Sequence, residues 1–332
     1  MDKKMSILSV CGGNGVILFP FRRHLIANIE PRTAFKTPDN VQWKLNFDKI
    51  PLYKDLSRFY TDFDPLPELD LIIGAPDCGH SSILGLSRNK VYSDPRDNES
   101  LNMFFKAVTD LQPKVFVMEN LNKFLETVTK SDLRERFSEY KLIFHNMSVS
   151  AFGNSQINRV RLLVIGVRRD TGLNPSVFRD IIQMGELKYC DELLKGLVYG
   201  EKCHIREDIS TPITLYAGFK TTAEEIRKRW GDTNWTRWKV EGRNFTTAPG
   251  VYRNLADHYP NTARKANRQY NSEGLMMSPR ELARIMGIPD EFEIWQANSS
   301  LAINKGRLTA TKGAVYEVGL WVLGCMKVLL GT

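Results

Sequence analysis

Met5-Ser-Ile-Leu-Ser-Val-Cys-Gly-Gly-Asn-Gly15 decides how this chain is read. An apolar run, Met5-Ser-Ile-Leu-Ser-Val10, stops at a turn that holds Gly12, Gly13 and Gly15. Without a Cβ, such a backbone can turn tightly and approach a ligand closely at the start of a following helix. Runs of the same kind recur at Asp70-Leu-Ile-Ile-Gly74, Lys114-Val-Phe-Val-Met118, Lys141-Leu-Ile-Phe144 and Arg161-Leu-Leu-Val-Ile-Gly166. They are rich in Val, Ile and Leu, and the segments between them can hold crossover helices, with Ser100–Leu111 and Ser131–Tyr140 as candidates. Buried parallel strands alternating with helices predict a doubly wound α/β sheet, whose ligands bind at the carboxyl ends of the strands.

That rhythm covers residues 1–169, expected to form an α/β domain, and fails beyond. Residues 170–275 scatter their apolar positions and gather Trp230, Trp235 and Trp238 among Arg227, Lys228, Arg229, Arg237, Lys239 and Arg243. This stretch is expected to be a smaller domain of irregular or β-rich structure. Residues 276–332 return to helix. Ser278-Pro-Arg-Glu-Leu-Ala-Arg-Ile-Met286 offers Ser278 as cap, Pro279 in the first turn and Glu281 at the capping-box position. A last apolar helix spans Gly313–Leu330. An α/β domain that resumes in this way makes the smaller domain an insertion.

The 332 residues, 42% hydrophobic and 25% charged, exclude a disordered, collagen-like or disulfide-scaffold protein. The longest apolar stretches, such as Leu320–Met326, fall far short of the roughly 20 residues that span a bilayer. The N-terminus runs into the first strand without a cleavage-site pattern. The expectation is a soluble, cytoplasmic protein with no membrane partner. Net charge is +8, and Lys220–Leu275 alone carries 11 basic and 6 acidic residues. A basic segment of that kind suits a polyanion. The five cysteines, Cys11, Cys78, Cys190, Cys203 and Cys325, are odd in number and contain no C-x-x-C. That argues against a disulfide framework and a structural zinc site, and no metal is expected.

Two carboxylates follow the glycine turn in sequence. Glu30 follows a second apolar run, Leu25–Ile29, at about the distance where an acid meets ribose hydroxyls. Asp55, in Tyr53-Lys-Asp-Leu56, marks the end of a third strand and could accept from an adenine amino group. Together they favour an adenosine-containing cofactor. A second constellation begins at Cys78, just past the strand in Asp70-Leu-Ile-Ile-Gly-Ala-Pro-Asp-Cys-Gly-His-Ser-Ser82. Glu119, in Met118-Glu-Asn-Leu121, stands at another strand end, and Asn158-Arg-Val-Arg161 leads into the next. A thiolate, a carboxyl group and two guanidiniums would then line one rim.

With these residues assembled, the chain resembles the cytosine-C5 DNA methyltransferases along nearly its whole length. The glycine turn looks like the family's cofactor motif, with Glu30 and Asp55 as its ribose and adenine acids. The Cys78 loop is similar to G-G-P-P-C, Phe116-Val-Met-Glu-Asn-Leu121 to the E-N-V motif, and Asp94-Pro-Arg96 to the D-P-R between them. Phe152-Gly153 with Gln156, Arg159 and Arg161 resembles Q-x-R-x-R with one extra residue. Arg280–Asp290 resembles R-E-x-A-R-x-x-x-F-P-D, and Thr311-Lys-Gly-Ala-Val315 takes the place of the final G-N-(S/A)-V. Residues 170–275 fall where the family keeps its target-recognition domain.

The resemblance implies a Rossmann-like methyltransferase fold, double-stranded DNA as partner and S-adenosyl-L-methionine as cofactor. It assigns the cofactor to Val10, Cys11, Gly12, Asn14, Gly15, Glu30, Asp55, Pro76, Gly313 and Val315. It assigns catalysis to Cys78, Glu119, Arg159 and Arg161, and phosphate contacts to the basic cluster from Arg227 to Arg243. The implied chemistry adds a thiolate to cytosine C6 so that C5 becomes nucleophilic, on a base flipped from the duplex. A monomer in a bacterial or phage-infected cell is expected.

Departures from the family gather around cysteine and cofactor. Asp77 stands where the family has Pro, and its carboxylate should raise the Cys78 thiol pKa unless His80 offsets it. Ser81 replaces a Phe, Asn14 a glycine, and Gly313, beside Lys312, the final Asn. Three readings accommodate them: a divergent methyltransferase, an enzyme with an altered donor or an RNA substrate, and a silent nucleic-acid binder.

Overall fold

The computed structural model describes residues 4–31, 38–77, 98–195, 251–253, 268–270, 279–294 and 315–332. Its sheet has seven strands: β1 Ile7–Val10, β2 Leu25–Ile29, β3 Leu52–Tyr53, β4 Leu71–Gly74, β5 Val115–Asn120, β6 Tyr140–Ser148 and β7 Val160–Arg168. They lie in the order β3-β2-β1-β4-β5-β7-β6. Strands β1 to β5 pair in parallel, whereas β7 runs antiparallel to both β5 and β6. The expectation that every run is parallel is therefore corrected for β7, whose reversed course makes both pairings antiparallel. Residues 149–159 between them hold only the 3-10 turn Val149–Phe152, too little for a crossover, so the chain reverses beside itself.

Successive residues point to opposite faces of a strand, and both faces of this sheet are covered. Ile7, Leu71, Ile73, Val115, Val117, Leu163 and Ile165 pack with Trp321 and Val322 on one side. Leu8, Val10, Ile72, Phe116, Met118, Leu162 and Val164 pack with Leu101, Phe104 and Val108 on the other. This two-sided burial explains why the sequence shows continuous apolar runs instead of alternation.

Among the described residues the helices are α1 Pro38–Asn46, α2 Leu56–Asp62, α3 Glu99–Leu111, α4 Lys130–Arg136, α5 Cys190–Leu194, α6 Pro279–Ile285 and α7 Tyr316–Leu330. Helix α4 stops earlier than the sequence suggests. Phe137 and Tyr140 turn inward, and Tyr140 opens β6 with its hydroxyl donating to the Pro113 carbonyl at 3.0 Å. Nor is the element after the glycine turn an α-helix. It is the 3-10 segment Val16–Phe21 with Pro20 inside it, and α7 packs against it. Helix α6 and the turn after it are closed by their own motif: the buried Arg280 donates to the carbonyls of Pro289 (3.1 Å) and Phe292 (2.7 Å), and Arg284 pairs with Asp290 at 2.6 Å.

Within 170–275 the described pieces include α5 and a short parallel pair, β8 Val251–Arg253 with β9 Arg268–Tyr270. Ser278, Trp230, Trp235, Trp238 and the basic residues around them lie outside the described residues. Among the described residues no helix is long and apolar enough to cross a membrane. Cys11, Cys190 and Cys325 are buried, and among the described residues no group of three or more His, Cys, Asp or Glu gathers as metal ligands.

Candidate active site

The chain leaves β1 for β2 on one side and later returns to β4 on the other, so the carboxyl ends of β1 and β4 flank a topological switch point. Open α/β sheets bind ligands in that crevice. The glycine turn sits there with Cys11, Gly13 and Gly15 all at positive φ. A Cβ on Gly15 would come within 2.4 Å of the Phe47 ring, so close packing as well as φ demands glycine. A Cβ on Gly13 would meet nothing within 4 Å, which makes this the open side of the turn.

Carboxylate and amide groups hold the turn in shape. The Gly13 N–H donates to Glu30 Oε2 at 3.0 Å, the Gly12 N–H to Asn28 Oδ1 at 3.4 Å, and the Val16 N–H to the buried Asn14 Oδ1 at 3.3 Å. Glu30 directly follows β2 and is buried; Asp55 follows the neighbouring β3 and is exposed. Asp55 Oδ1 accepts from the Arg58 N–H at 3.0 Å, capping α2. The two acids therefore follow adjacent strands, Glu30 against the turn and Asp55 one strand farther out. Val10 and Val315 are fully buried, the first ending β1 and the second opening α7.

From this turn the structure reaches the residue before Cys78 in few steps. The Ala75 N–H donates to the Cys11 carbonyl at 3.2 Å, and Asn120 Nδ2 to the carbonyl of the buried Pro76 at 3.3 Å. Asp77 is fixed at both main-chain groups: its N–H donates to Ser100 Oγ at 2.8 Å, and its carbonyl accepts from Asn98 Nδ2 at 2.8 Å. Asn98 Oδ1 in turn accepts from the Ser100 and Leu101 N–H groups and caps α3. A proline at 77 would have no N–H for Ser100, so the departure from the family brings its own anchor. Sequence reasoning missed Asn98, Ser100 and Asn120. An Asn just before a helix is a recognisable cap signal, but its second bond, to Asp77, becomes visible only in three dimensions.

Glu119, near the end of β5, is 6% exposed. Its Cα partner on β7 is Leu163, which puts Arg161 diagonally across on the same face, and Arg161 Nε meets Glu119 Oε1 at 2.8 Å. Burial lifts the Glu119 carboxyl above the usual range, against the opposing pull of Arg161 and Arg159. Arg159 is 2% exposed; its N–H donates to the Gln156 carbonyl at 3.0 Å and its carbonyl accepts from Val149 at 2.8 Å. The structure thus sets Val10, Cys11, Gly12, Asn14, Gly15, Glu30 and Pro76 around the switch point and Glu119, Arg159 and Arg161 at the neighbouring strand ends, while Asp55 follows β3, two strands out from β1. Cys78, Gly313, Lys312, His80, Ser81, Asp94, Arg96 and the cluster Arg227, Lys228, Arg229, Arg237, Lys239 and Arg243 lie outside the described residues.

Comparison with known proteins points the same way. A model of the C-5 cytosine-specific DNA methylases matches residues 40–306. The type II methyltransferase M.FnuDI of Fusobacterium nucleatum is 25% identical over 315 residues, 88% of this chain and 86% of that protein. The orphan methyltransferase M.SPRI of Bacillus phage SPR is 33% identical over 176 residues, 49% of this chain and 37% of that protein. Among solved structures, a putative DNA modification methyltransferase encoded within an E. coli prophage shares the fold at TM-score 0.69 and 17% identity, over 99% of this chain and 100% of that one. The S. pombe Dnmt2 methyltransferase does so at TM-score 0.63 and 15% identity, again over 99% and 100%. With a family model spanning most of its length, a methyltransferase sheet and a buried carboxyl–guanidinium pair at the crevice, the chain belongs to the C-5 cytosine-specific DNA methylases and is an S-adenosylmethionine-dependent DNA cytosine-5 methyltransferase.

Proposed function

We propose that the enzyme methylates a cytosine flipped out of double-stranded DNA, through Cys78 as nucleophile and Glu119, Arg159 and Arg161 as the groups that hold the base. The observation that carries this reading is Glu119: a nearly buried carboxyl, lifted in pKa, paired at 2.8 Å with Arg161 at the switch-point end of the sheet. The carboxyl end of β4, which leads through the anchored Asp77 to Cys78, is the strand next to it.

The residues around the glycine turn fit the cofactor. The open face at Gly13 leaves room for a ligand, and the ends of β2 and β3 offer one buried and one exposed carboxylate. Glu30 would accept from the ribose diol and Asp55 from the adenine amine, with Val10, Cys11, Gly12, Asn14, Gly15, Pro76, Gly313 and Val315 completing the wall. Bound there, S-adenosylmethionine supplies an electrophilic methyl group.

The chain's own residues make cytosine able to accept it. The Cys78 thiolate forms a C–S bond at C6, and the electron pair displaced from the C5–C6 double bond makes C5 nucleophilic. Glu119, protonated, donates to N3 and stabilises the charge that builds on the ring. Arg159 and Arg161 offer planar forks of donors to O2 and a neighbouring phosphate. After transfer, C5 gives up its proton to a water molecule, the C5–C6 double bond re-forms and the thiolate leaves. Flipping costs a few kcal/mol, offset by such pocket contacts. The basic residues Arg227, Lys228, Arg229, Arg237, Lys239 and Arg243 would bind phosphates, which makes affinity fall steeply with salt. The hosts of the relatives, a bacterium and a phage, support a bacterial or phage-infected cytoplasm as the setting.

Tritium release from duplex DNA labelled at cytosine C5 tests this directly. Release is expected with the wild type and lost in Cys78→Ala; a Cys78→Ala enzyme that still releases tritium overturns the nucleophile assignment.

A further inference from the structure

Asn154 has no assigned part in the reaction, yet its side chain is fully buried where three segments meet. Its Oδ1 accepts from the Gln156 main-chain N–H at 3.0 Å and from Gln156 Nε2 at 3.4 Å. Its Nδ2 donates to the Met286 carbonyl, just past α6, and to Glu317 Oε2 in the first turn of α7, each at 3.0 Å. Gln156, also fully buried, donates to Met286 Sδ at 3.2 Å. The junction has no slack: a Cβ on Gly287 would lie 2.1 Å from Glu317 Oε1 and 2.6 Å from Asn154 Nδ2.

On one side of this amide the chain runs directly into the guanidiniums. The Gln156 carbonyl holds the Arg159 N–H, and β7 then carries Arg161 to Glu119. On the other side Glu317 stands two residues after Val315, at the start of the helix that packs on the segment following the glycine turn. Asn154 therefore joins the arginine side of the site to the cofactor side. Buried polar groups in such a network are costly to leave unpaired, so the amide has one arrangement that satisfies all its partners.

We propose that Asn154 is a positioning residue: by bonding Gln156 on one side and Met286 and Glu317 on the other, it fixes the spacing between the base-holding arginines and the cofactor wall. This rests on the reading that Glu119 and Arg161 hold the cytosine. Its effect belongs in kcat rather than in binding, because a displacement of about 1 Å between reacting groups can cost on the order of 100-fold in rate.

The test is a double-mutant cycle at pH 8 with wild type, Asn154→Asp, Glu317→Gln and the double variant, measuring kcat and the KM values for DNA and S-adenosylmethionine. Asn154→Asp sets a carboxylate against Glu317 and against the Met286 carbonyl. It is expected to lower kcat about 10- to 100-fold with KM values changed little. The double variant is expected to regain most of the loss, because the amide introduced at position 317 can donate to the carboxylate introduced at position 154. Asn154→Ala removes the bonds without adding a charge and is expected to lower kcat while circular dichroism and cofactor binding stay unaltered. Wild-type kcat in Asn154→Ala, or a loss in Asn154→Asp that Glu317→Gln does not relieve, overturns the proposal. Glu119→Ala, assayed in parallel, separates the two claims: wild-type kcat there refutes the site reading, whatever the Asn154 variants do.

Discussion

Glu119 shows how one environment tunes one side chain. Removal from water favours its neutral form, and two guanidiniums favour the ionised one; the net displacement is upward. A carboxyl lifted in this way takes up a proton more readily than a free one, which is the form that the proposed donation to N3 needs. Glu119→Ala is expected to lower kcat about 100- to 1,000-fold, the range seen when one donor to a developing charge is removed. Glu119→Gln, which still donates, is expected to lose less. Equal losses in the two variants would show that donation is not what Glu119 contributes. Glu317 gives a second test at this scale. Burial pushes its carboxyl up to about 7, while Asn154 and its own backbone N–H pull the other way. A raised carboxyl pKa means that the folded chain keeps its proton longer than the unfolded one. Stability from this group is then full below an unfolded value of about 4.5 and declines as pH rises towards about 7. The gain in Tm from Glu317→Gln over wild type is expected to be larger at pH 8 than at pH 5. A gain independent of pH contradicts that assignment.

The element that matters most is the N-terminus of α3, because it serves helix and site together. Asn98 caps the helix and holds the Asp77 carbonyl, and Ser100 accepts from the Asp77 N–H. Asn98→Ala is expected to cost about 1 kcal/mol of stability through the lost cap. It should also lower kcat, measured at saturating substrates, because Asp77 is bonded to Cys78. Loss of stability with kcat unchanged would confine Asn98 to a structural role. Elements of this kind were only partly legible in the sequence. The strands β1, β4 and β5 stood out because both their faces are buried, and the glycine turn because Gly15 packs against Phe47 at a positive φ. The antiparallel course of β7 was not legible, since an apolar run reads the same in either direction. Asn98, Asn120 and Asn154 were missed for a related reason: a polar residue in a loop resembles a solvated one until its distant partners are known.

For the whole molecule, the chain order sets widely separated segments along one edge of the sheet. Glu30 and Asp55 come from the ends of β2 and β3, Glu119 from β5, Arg161 from β7 and Val315 from the start of α7. Strand order, not sequence proximity, sets their places along that edge, so the order of the motifs is legible in the sequence and their geometry is not. The C-terminal helix secures the arrangement: Trp321, 1% exposed, meets Phe152, Phe178 and His145 edge-on across the sheet. Trp321→Ala is expected to cost about 3 to 5 kcal/mol in a denaturant titration. A loss below about 1 kcal/mol would mean that α7 contributes little to the core.

The proposed mechanism turns on a covalent bond between Cys78 and the base, and trapping that bond is the most direct measurement. Duplex DNA with 5-fluorocytosine at the target, incubated with enzyme and S-adenosylmethionine, should yield a denaturation-resistant adduct whose peptide mass maps to Cys78. No adduct should form with Cys78→Ala. If methylation of ordinary DNA proceeds while no adduct accumulates on the fluorinated duplex, or if the adduct maps to another residue, the mechanism built on Cys78 and Glu119 is wrong.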